Sequence, residues 1–537
     1  MLTQEYTLHL GATRVTPDEV ARVSRGEAPV RLDETAHRRI DAARAVVAGL
    51  IARGTPAYGV TRGLGPLQDQ PIPPELQRDF QTFVFASHHA GCGENLSRAE
   101  ARSVMIARLA VMAQGNSGGS RELITGLAEL VSRGVTPAIP VAGSVGSADL
   151  APLAAVGTVL VGRGRALGRD GTPIPGDEAL RAAGIEPVSL QAKDGHALVV
   201  ANAGAVGIGC LALVDLERLA RIADLAAVHS VEALSCNTDV FDDAALSARP
   251  HPGQVRSGAR LRRLLAGGAL SSGEVRPARL QDPLSFRTIP QVHGVILEQA
   301  AHLREVLDIE LNSMPENPFI DESSGTLIAN GNFSALRLAL SLDQCRIALA
   351  HLGLLAERRI AVLIGRLRAD RPLSEQLVAF ASGSAPVVPP ILANVAASIS
   401  ARLQHLAAPF SILPSIVGDG IEDHNSQAYS AALALRDAIE LAEQLFTIEA
   451  LAASGVSASE PETHARRRGP GLAPFAALAS RILESYEPTG GTQAQLTAMR
   501  CALHKNSRCK AKSAGPVGLG ADTVSPPAHT DPERVLT

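Results

Sequence analysis

A mainly α-helical protein with several long helices is what the sequence predicts, on three observations. From Leu342 the apolar positions Cys345, Leu349, Leu352, Ala356 and Ile360 recur at three- and four-residue steps, one helix face sustained over about four turns. Ala/Leu-rich stretches of the same kind run over 211–233, 291–310 and 428–453. Period-two, β-branched segments, the mark of half-buried strands, are short and few.

At 537 residues the chain exceeds what one small core can use, so it is expected to divide into subregions. Residues 1–200 carry most of the loops and are read as an N-terminal site-bearing domain. Residues 201–470 are read as a central long-helix bundle, 471–510 as a C-terminal helical segment, and 511–537, which lack periodicity, as a disordered tail. The run from Ala197 to Val214 is apolar nearly all round but holds Asn202 and three glycines. It is expected to be a buried core helix rather than a membrane span. Breaks fall at Gly63–Pro66, Pro71–Pro74, Ala142–Ala154, Gly383–Pro390 and Ser411–Asp423.

Composition narrows the function classes. Apolar residues are 46% and charged residues 19%, a globular balance. Lys plus Arg number 50 against 54 Asp plus Glu, a net charge of −4, so neither a nucleic-acid nor a membrane partner is expected. The six cysteines (Cys92, Cys210, Cys236, Cys345, Cys501 and Cys509) form no C-x-x-C pair, and the first thirty residues hold no apolar signal core. Both point to a cytoplasmic chain with reduced thiols. No His/Cys/Asp cluster has metal-ligand spacing, so no metal is expected.

Three loop motifs carry the chemistry. The first is Tyr58-Gly59-Val60 with Gly63 and Gly65; the second runs from Gly143 to Leu153 as GSVGSADLAPL; the third is Gln281-Asp282-Pro283-Leu284-Ser285-Phe286-Arg287, leading to Pro290-Gln291. Asn317-Pro318, Asn330-Gly331-Asn332-Phe333, Glu357-Arg358-Arg359-Ile360 and Glu422-Asp423-His424 follow in order. Together, over roughly residues 15 to 500, they resemble the aromatic amino acid ammonia-lyase family, most closely its histidine ammonia-lyases. The resemblance implies a helical-bundle lyase acting on a small molecule, and a homotetramer whose active sites combine loops from more than one subunit.

In that family an Ala-Ser-Gly triad condenses into an electrophilic methylidene-imidazolone (MIO) ring. The glycine nitrogen attacks the alanine carbonyl, and glycine suits the task because a Cβ there obstructs the backbone geometry. Here the loop reads Gly146-Ser147-Ala148-Asp149, one residue short. Aligned on Ser147, alanine occupies the attacking position, so a normal MIO is not expected to form. Two further departures point the same way. The family's tyrosine in Q-D-x-Y-S-x-R is Leu284, and the asparagine that ends its K-x-G-L-A-L-x-N stretch is Val200, with Asn202 able to substitute only if the register slips.

The remaining correspondences give the candidate site. Tyr58 matches the mobile-loop general base and Ser147 the triad serine. Arg287 matches the arginine that clamps the substrate carboxylate, a task for a planar bidentate donor. Gln281 and Phe333 match residues near the ring. His88 matches the side-chain selectivity position of the histidine enzymes, and Glu422 the acid beside their imidazole. Plainer roles stand beside these: a surface aromatic for Tyr58, a structural ion pair for Arg287, a helix-turn decoration for His88 and His89, a helix N-terminal cluster for Glu422–His424, and a cap or loop anchor for Asp149.

Three functions follow from this pattern. One is a repurposed, MIO-deficient lyase that performs another elimination, addition or cyclisation, for example loss of trimethylamine from a histidine betaine in the manner of the ergothionases. The second is a working histidine or aromatic amino acid ammonia-lyase using an atypical ring or a dehydroalanine made from Ser147. The third is a non-catalytic pseudoenzyme.

Overall fold

Small side chains let helices approach closely, and the Ala-rich faces of this chain are used that way. In the computed structural model, which describes residues 6–26, 28–369, 372–381, 388–459, 467–486 and 490–513, the centre is a bundle of four long helices: Ala203–Ala233, Ile289–Leu311, Leu336–Ala369 and Ala428–Ser459. The helix Ala428–Ser459 packs most extensively on Leu336–Ala369 and Ala203–Ala233. Among the described residues strands form only four two-stranded sheets, one parallel and three antiparallel. The mainly α expectation holds. The main apolar core runs from Leu8 to Leu503 and crosses the position where the sequence separates loops from bundle, and a smaller cluster forms around Val47, Val60 and Ile320.

Two details depart from the sequence reading. The apolar run 197–214 is not one helix. A short helix, Asp194–Val199, stops at Val200 (φ −89°, ψ 80°), and the long helix restarts with Asn202 at its N-cap. The physical reason lies in Asp149, whose backbone N–H donates to the Ala201 carbonyl (2.8 Å) and whose carboxylate accepts from Ala205 N–H (2.9 Å). Both bonds use the backbone groups freed by the break. The segment Asp194–Ala233 is long and apolar enough to cross a membrane by composition, yet 89% of its most apolar window is buried inside the protein. At the other end the final helix, Gly491–Ser513, extends three residues past the expected boundary at 510. Residues 514–537 of the expected tail, and 383–387 of the GSAPVVPP break, lie outside the described residues.

Buried ion pairs tie the bundle. Arg359 holds Glu449 (2.6 Å) and also donates to the Ser285 carbonyl (3.2 Å), while Arg108 holds Glu316 (2.8 Å) and donates to Leu198 O (3.1 Å). Each guanidinium serves a charge and a backbone oxygen at once, so it stitches a loop to the bundle.

Candidate active site

The loop 143–149 is shaped by its own short-range chemistry. The strand pair Cys92–Asn95 and Pro140–Ala142 delivers the chain to Gly143. Ser144 then donates to the Asp149 carboxylate (2.6 Å) and accepts from Gly146 N–H (3.0 Å), pulling the turn closed. Asp149 begins the helix Leu150–Leu160 but makes no side-chain cap to it. It is a loop anchor and not a cap. Wholly buried, its carboxyl is pushed up to about 6 by loss of hydration, against hydrogen bonds from Ser144, Ala205 and Gly204.

The C-terminal half of the chain closes over this turn. The Val145 carbonyl accepts from Gln427 N–H (2.8 Å), and the Gly146 carbonyl accepts from the Ser426 hydroxyl (2.7 Å). The fit is tight: Gly146 sits at φ +81°, and a Cβ there would lie 2.5 Å from Ser426 Oγ and 2.8 Å from Ala428 N. Ala148 takes φ +150°, a region costly for any residue with a Cβ. The Ser147 hydroxyl donates to the Glu422 carboxylate. Glu422 lies on a bridge with Val417 after an irregular turn, six residues before the helix Ala428–Ser459. It is therefore not part of a helix N-terminal cluster.

Tyr58 reaches the same place from the N-terminal side. It is half-buried, which sets aside the surface-aromatic role, and its hydroxyl accepts from Gly65 N–H (2.9 Å). Burial raises its ionisation above the ordinary phenol range; the Gly65 bond opposes this and the Glu422 charge adds to it. Beneath it stands His196, edge to face against the Tyr58 ring at 5.4 Å between centroids. Gly59 (φ +67°) permits that contact, because a Cβ would meet the imidazole at 2.8 Å. His88 ends the helix Gln77–His88, with Nδ1 against the Val84 carbonyl at 2.8 Å. That helix is fixed to the His196 helix by Gly195 N–H donating to Gln81 (3.0 Å).

Asn202 and Phe333 complete the near side. The Asn202 amide donates to the Phe333 carbonyl (2.5 Å), and its Oδ1 is buried without a partner. The helix break puts Asn202 at the start of the long helix with its amide on the Phe333 backbone, while Val200 is left half-buried.

Gln281, Leu284 and Arg287 are elsewhere. Ser285, beside them, is held by Arg359, which pairs with Glu449, whereas Gly146 packs at Ala428 on the same helix. At about 1.5 Å per residue, Ala428 and Glu449 stand about 30 Å apart. One chain therefore brings together Tyr58, Ser147 and Glu422, with His88 near His196 and Phe333 on Asn202, and leaves Arg287 and Gln281 at the far end of the bundle. Arg287 has no carboxylate partner among the described residues, so it is not a structural ion-pair residue there. Sequence reasoning missed Ser426, Gln427 and Ser144, and passed over His196. The only signal for the last was a histidine where the motif has leucine. No group of three or more metal-ligating side chains occurs among the described residues.

The family model "Aromatic amino acid lyase" matches residues 15–480. The histidine ammonia-lyase of Koribacter versatilis is 38% identical over 465 residues, covering 83% of this chain and 88% of that protein. The solved histidine ammonia-lyase of Trypanosoma cruzi superposes with TM-score 0.81 at 27% identity, over 98% of this chain and 99% of that one. Ergothionase from Treponema denticola superposes with TM-score 0.84 over 94% and 99%, at 22% identity, a likeness of fold alone. With the motifs in order, the helical bundle in place and the match spanning most of its length, this chain belongs to the aromatic amino acid lyase family.

Proposed function

We propose that this chain is a carbon–nitrogen lyase that works without the MIO group and expels a better leaving group than ammonia, with trimethylamine from a histidine betaine as the leading case. The observation that carries the reading is the loop at 146–148. Ring closure needs the residue-148 nitrogen to reach the residue-146 carbonyl through backbone free of side chains, and Ala148 places a methyl group at φ +150°. The family's alanine at the first position has no room, since the Gly146 Cβ position is occupied by Ser426. The Gly146 carbonyl and the Ser147 hydroxyl are both already engaged. These residues do not fit the group, and Ser147 is read as remaining a serine.

The chemistry then rests on the side chains. Tyr58 takes the β-proton, its oxygen steadied by Gly65 N–H. The C–H pair becomes the Cα–Cβ double bond, and the amine departs with the C–N pair as a neutral molecule. Arg287 clamps the carboxylate and Glu422 faces the imidazole, with His88 beside it. Because Arg287 stands about 30 Å from Ser147 within one chain, the assembly is read as a homotetramer in which another copy supplies it. Exposed apolar side chains flank both halves of the site, among them Leu284 (65% exposed) at one end and Ile412, Ile416 (75%) and Ile421 at the other. Apolar side chains exposed in this way are what a second copy would cover, which supports that assembly. The five described cysteines are free, in keeping with a cytoplasmic location.

The test is turnover by the full-length protein of a histidine betaine and of histidine, each followed by amine release and by absorbance of the conjugated product. Trimethylamine release is expected. Turnover of histidine with none of the betaine overturns the reading. That outcome would favour the second reading, a working histidine ammonia-lyase, which the 38% identity to such an enzyme supports.

A further inference from the structure

His196 stands where the family motif has leucine, and its surroundings are unusual for a core residue. It is 1% exposed. Its Nδ1 lies 3.4 Å from Lys193 Nζ, which is itself fully buried and donates to the Ser117 carbonyl at 2.7 Å. An ammonium only donates, so Nδ1 accepts and the imidazole proton is carried by Nε2. That Nε2 is buried and has no hydrogen-bond partner. The ring meets Tyr58 edge to face. An N–H donor left unused in a dry site costs stability unless something charged uses it.

We infer that His196 is a positioning residue for Tyr58: its neutral imidazole, with the tautomer set by Lys193, packs edge to face on the phenol ring and keeps an unpaired Nε2–H in the same dry site for the tyrosinate to draw on. This rests on the reading of Tyr58 as the base and deepens it. The groups facing His196 all keep it neutral. Burial lowers its proton affinity far below the usual range, and Lys193 on its own helix, Arg108 from the helix Arg98–Met112 and His88 act in the same direction. Asp194 is occupied by Ser120 and by Gln191 N–H. Glu316 is taken by Arg108, and Glu422 accepts from Ser147. Burial brings Lys193 down to about 8, against the opposing pull of the Glu316 charge.

The chain has four tyrosines, so one can be followed. Near-ultraviolet titration of tyrosinate in the substrate-free protein, with the Tyr58→Phe curve subtracted, isolates the Tyr58 step. Burial already holds Tyr6 up at about 12 and Tyr429 higher still. In His196→Leu the step is expected to move up by about one pH unit, a tenfold loss of tyrosinate at fixed pH. His196→Gln, whose amide both accepts from Lys193 and donates, is expected to stay within about threefold of the parent protein. Lys193→Met, which unfixes the tautomer, reports the same upward shift if the leucine variant does not fold. Coincidence of the leucine and parent curves, or an equal shift in the glutamine variant, overturns the inference. Failure of Tyr58 as the base shows separately, as unchanged turnover in Tyr58→Phe.

Discussion

The Ser147 hydroxyl donates to the Glu422 carboxylate across 275 residues of sequence. In a loop poised to lose water that hydroxyl would have to depart; here it is one of the links between the two halves of the site. The peptide spanning Pro140 to Leu153 is therefore expected to carry its unmodified mass. Loss of two waters in high-resolution mass spectrometry would show a cyclised ring, loss of one a dehydroalanine, and either would end the MIO-free reading.

The tightness of the same loop gives a stability test. Gly146→Ala forces a Cβ to within 2.5 Å of Ser426 Oγ at a positive φ. Overpacking with backbone strain is expected to cost about 2–3 kcal/mol in denaturant unfolding. A stability equal to the parent would mean that the loop readily adopts another path, one able to take the family's alanine.

Tyr58→Phe keeps the ring contact with His196 and removes the oxygen held by Gly65. General-base loss predicts a fall in kcat of about 10²–10⁴-fold on the true substrate. Steady-state kinetics showing no fall would remove Tyr58 from the mechanism.

Arg287 and Tyr58 belong to different copies in the proposed assembly. Arg287→Ala is expected to raise KM and lower kcat, since a lost carboxylate clamp weakens both binding and alignment. Coexpressed with Tyr58→Phe, it should recover activity, because about a quarter of randomly mixed sites draw both intact residues. Absence of recovery in purified mixed tetramers, or a monomer in sedimentation, counts against the shared site.

Asp149 imposes a pH dependence on folding. Its folded value, about 6, lies above its ordinary 3.8. A carboxyl raised in this way binds its proton more tightly when folded, so it favours folding fully below about pH 4, and that contribution is lost as pH rises through about 6. The two-unit shift corresponds to on the order of 3 kcal/mol. Asp149→Asn should flatten that part of the stability profile, because an amide can accept from Ala205 N–H and donate to Ser144 without titrating. Parallel profiles for the two proteins would show that Asp149 is not the group responsible.

Much of the fold was legible because it rests on local pattern. Apolar spacing from Leu342 to Ile360 reports a helix whichever neighbour it meets, and the helix Leu336–Ala369 contains it. The break at Val200–Asn202 was not legible, since nothing in that apolar run announces it. It is made by Asp149, some fifty residues earlier, capturing backbone groups of Ala201 and Ala205. The site divides in the same way. Tyr58, Ser147 and Glu422 could be named from motifs, but that Ser147 bonds to Glu422 and Tyr58 lies within reach of its charge could not.

By itself the sequence determined the helical class, the family, and the departures at Ala148, Val200 and Leu284, since each is written in residue type and spacing. The tertiary structure alone decided that Ser426 fills the space beside Gly146, that Asn202 reaches the Phe333 backbone, and that Arg287 stands about 30 Å from Ser147 along the bundle. These are distances between groups remote along the chain. Packing and burial set them, through forces that act in space and leave no period in the order of the residues.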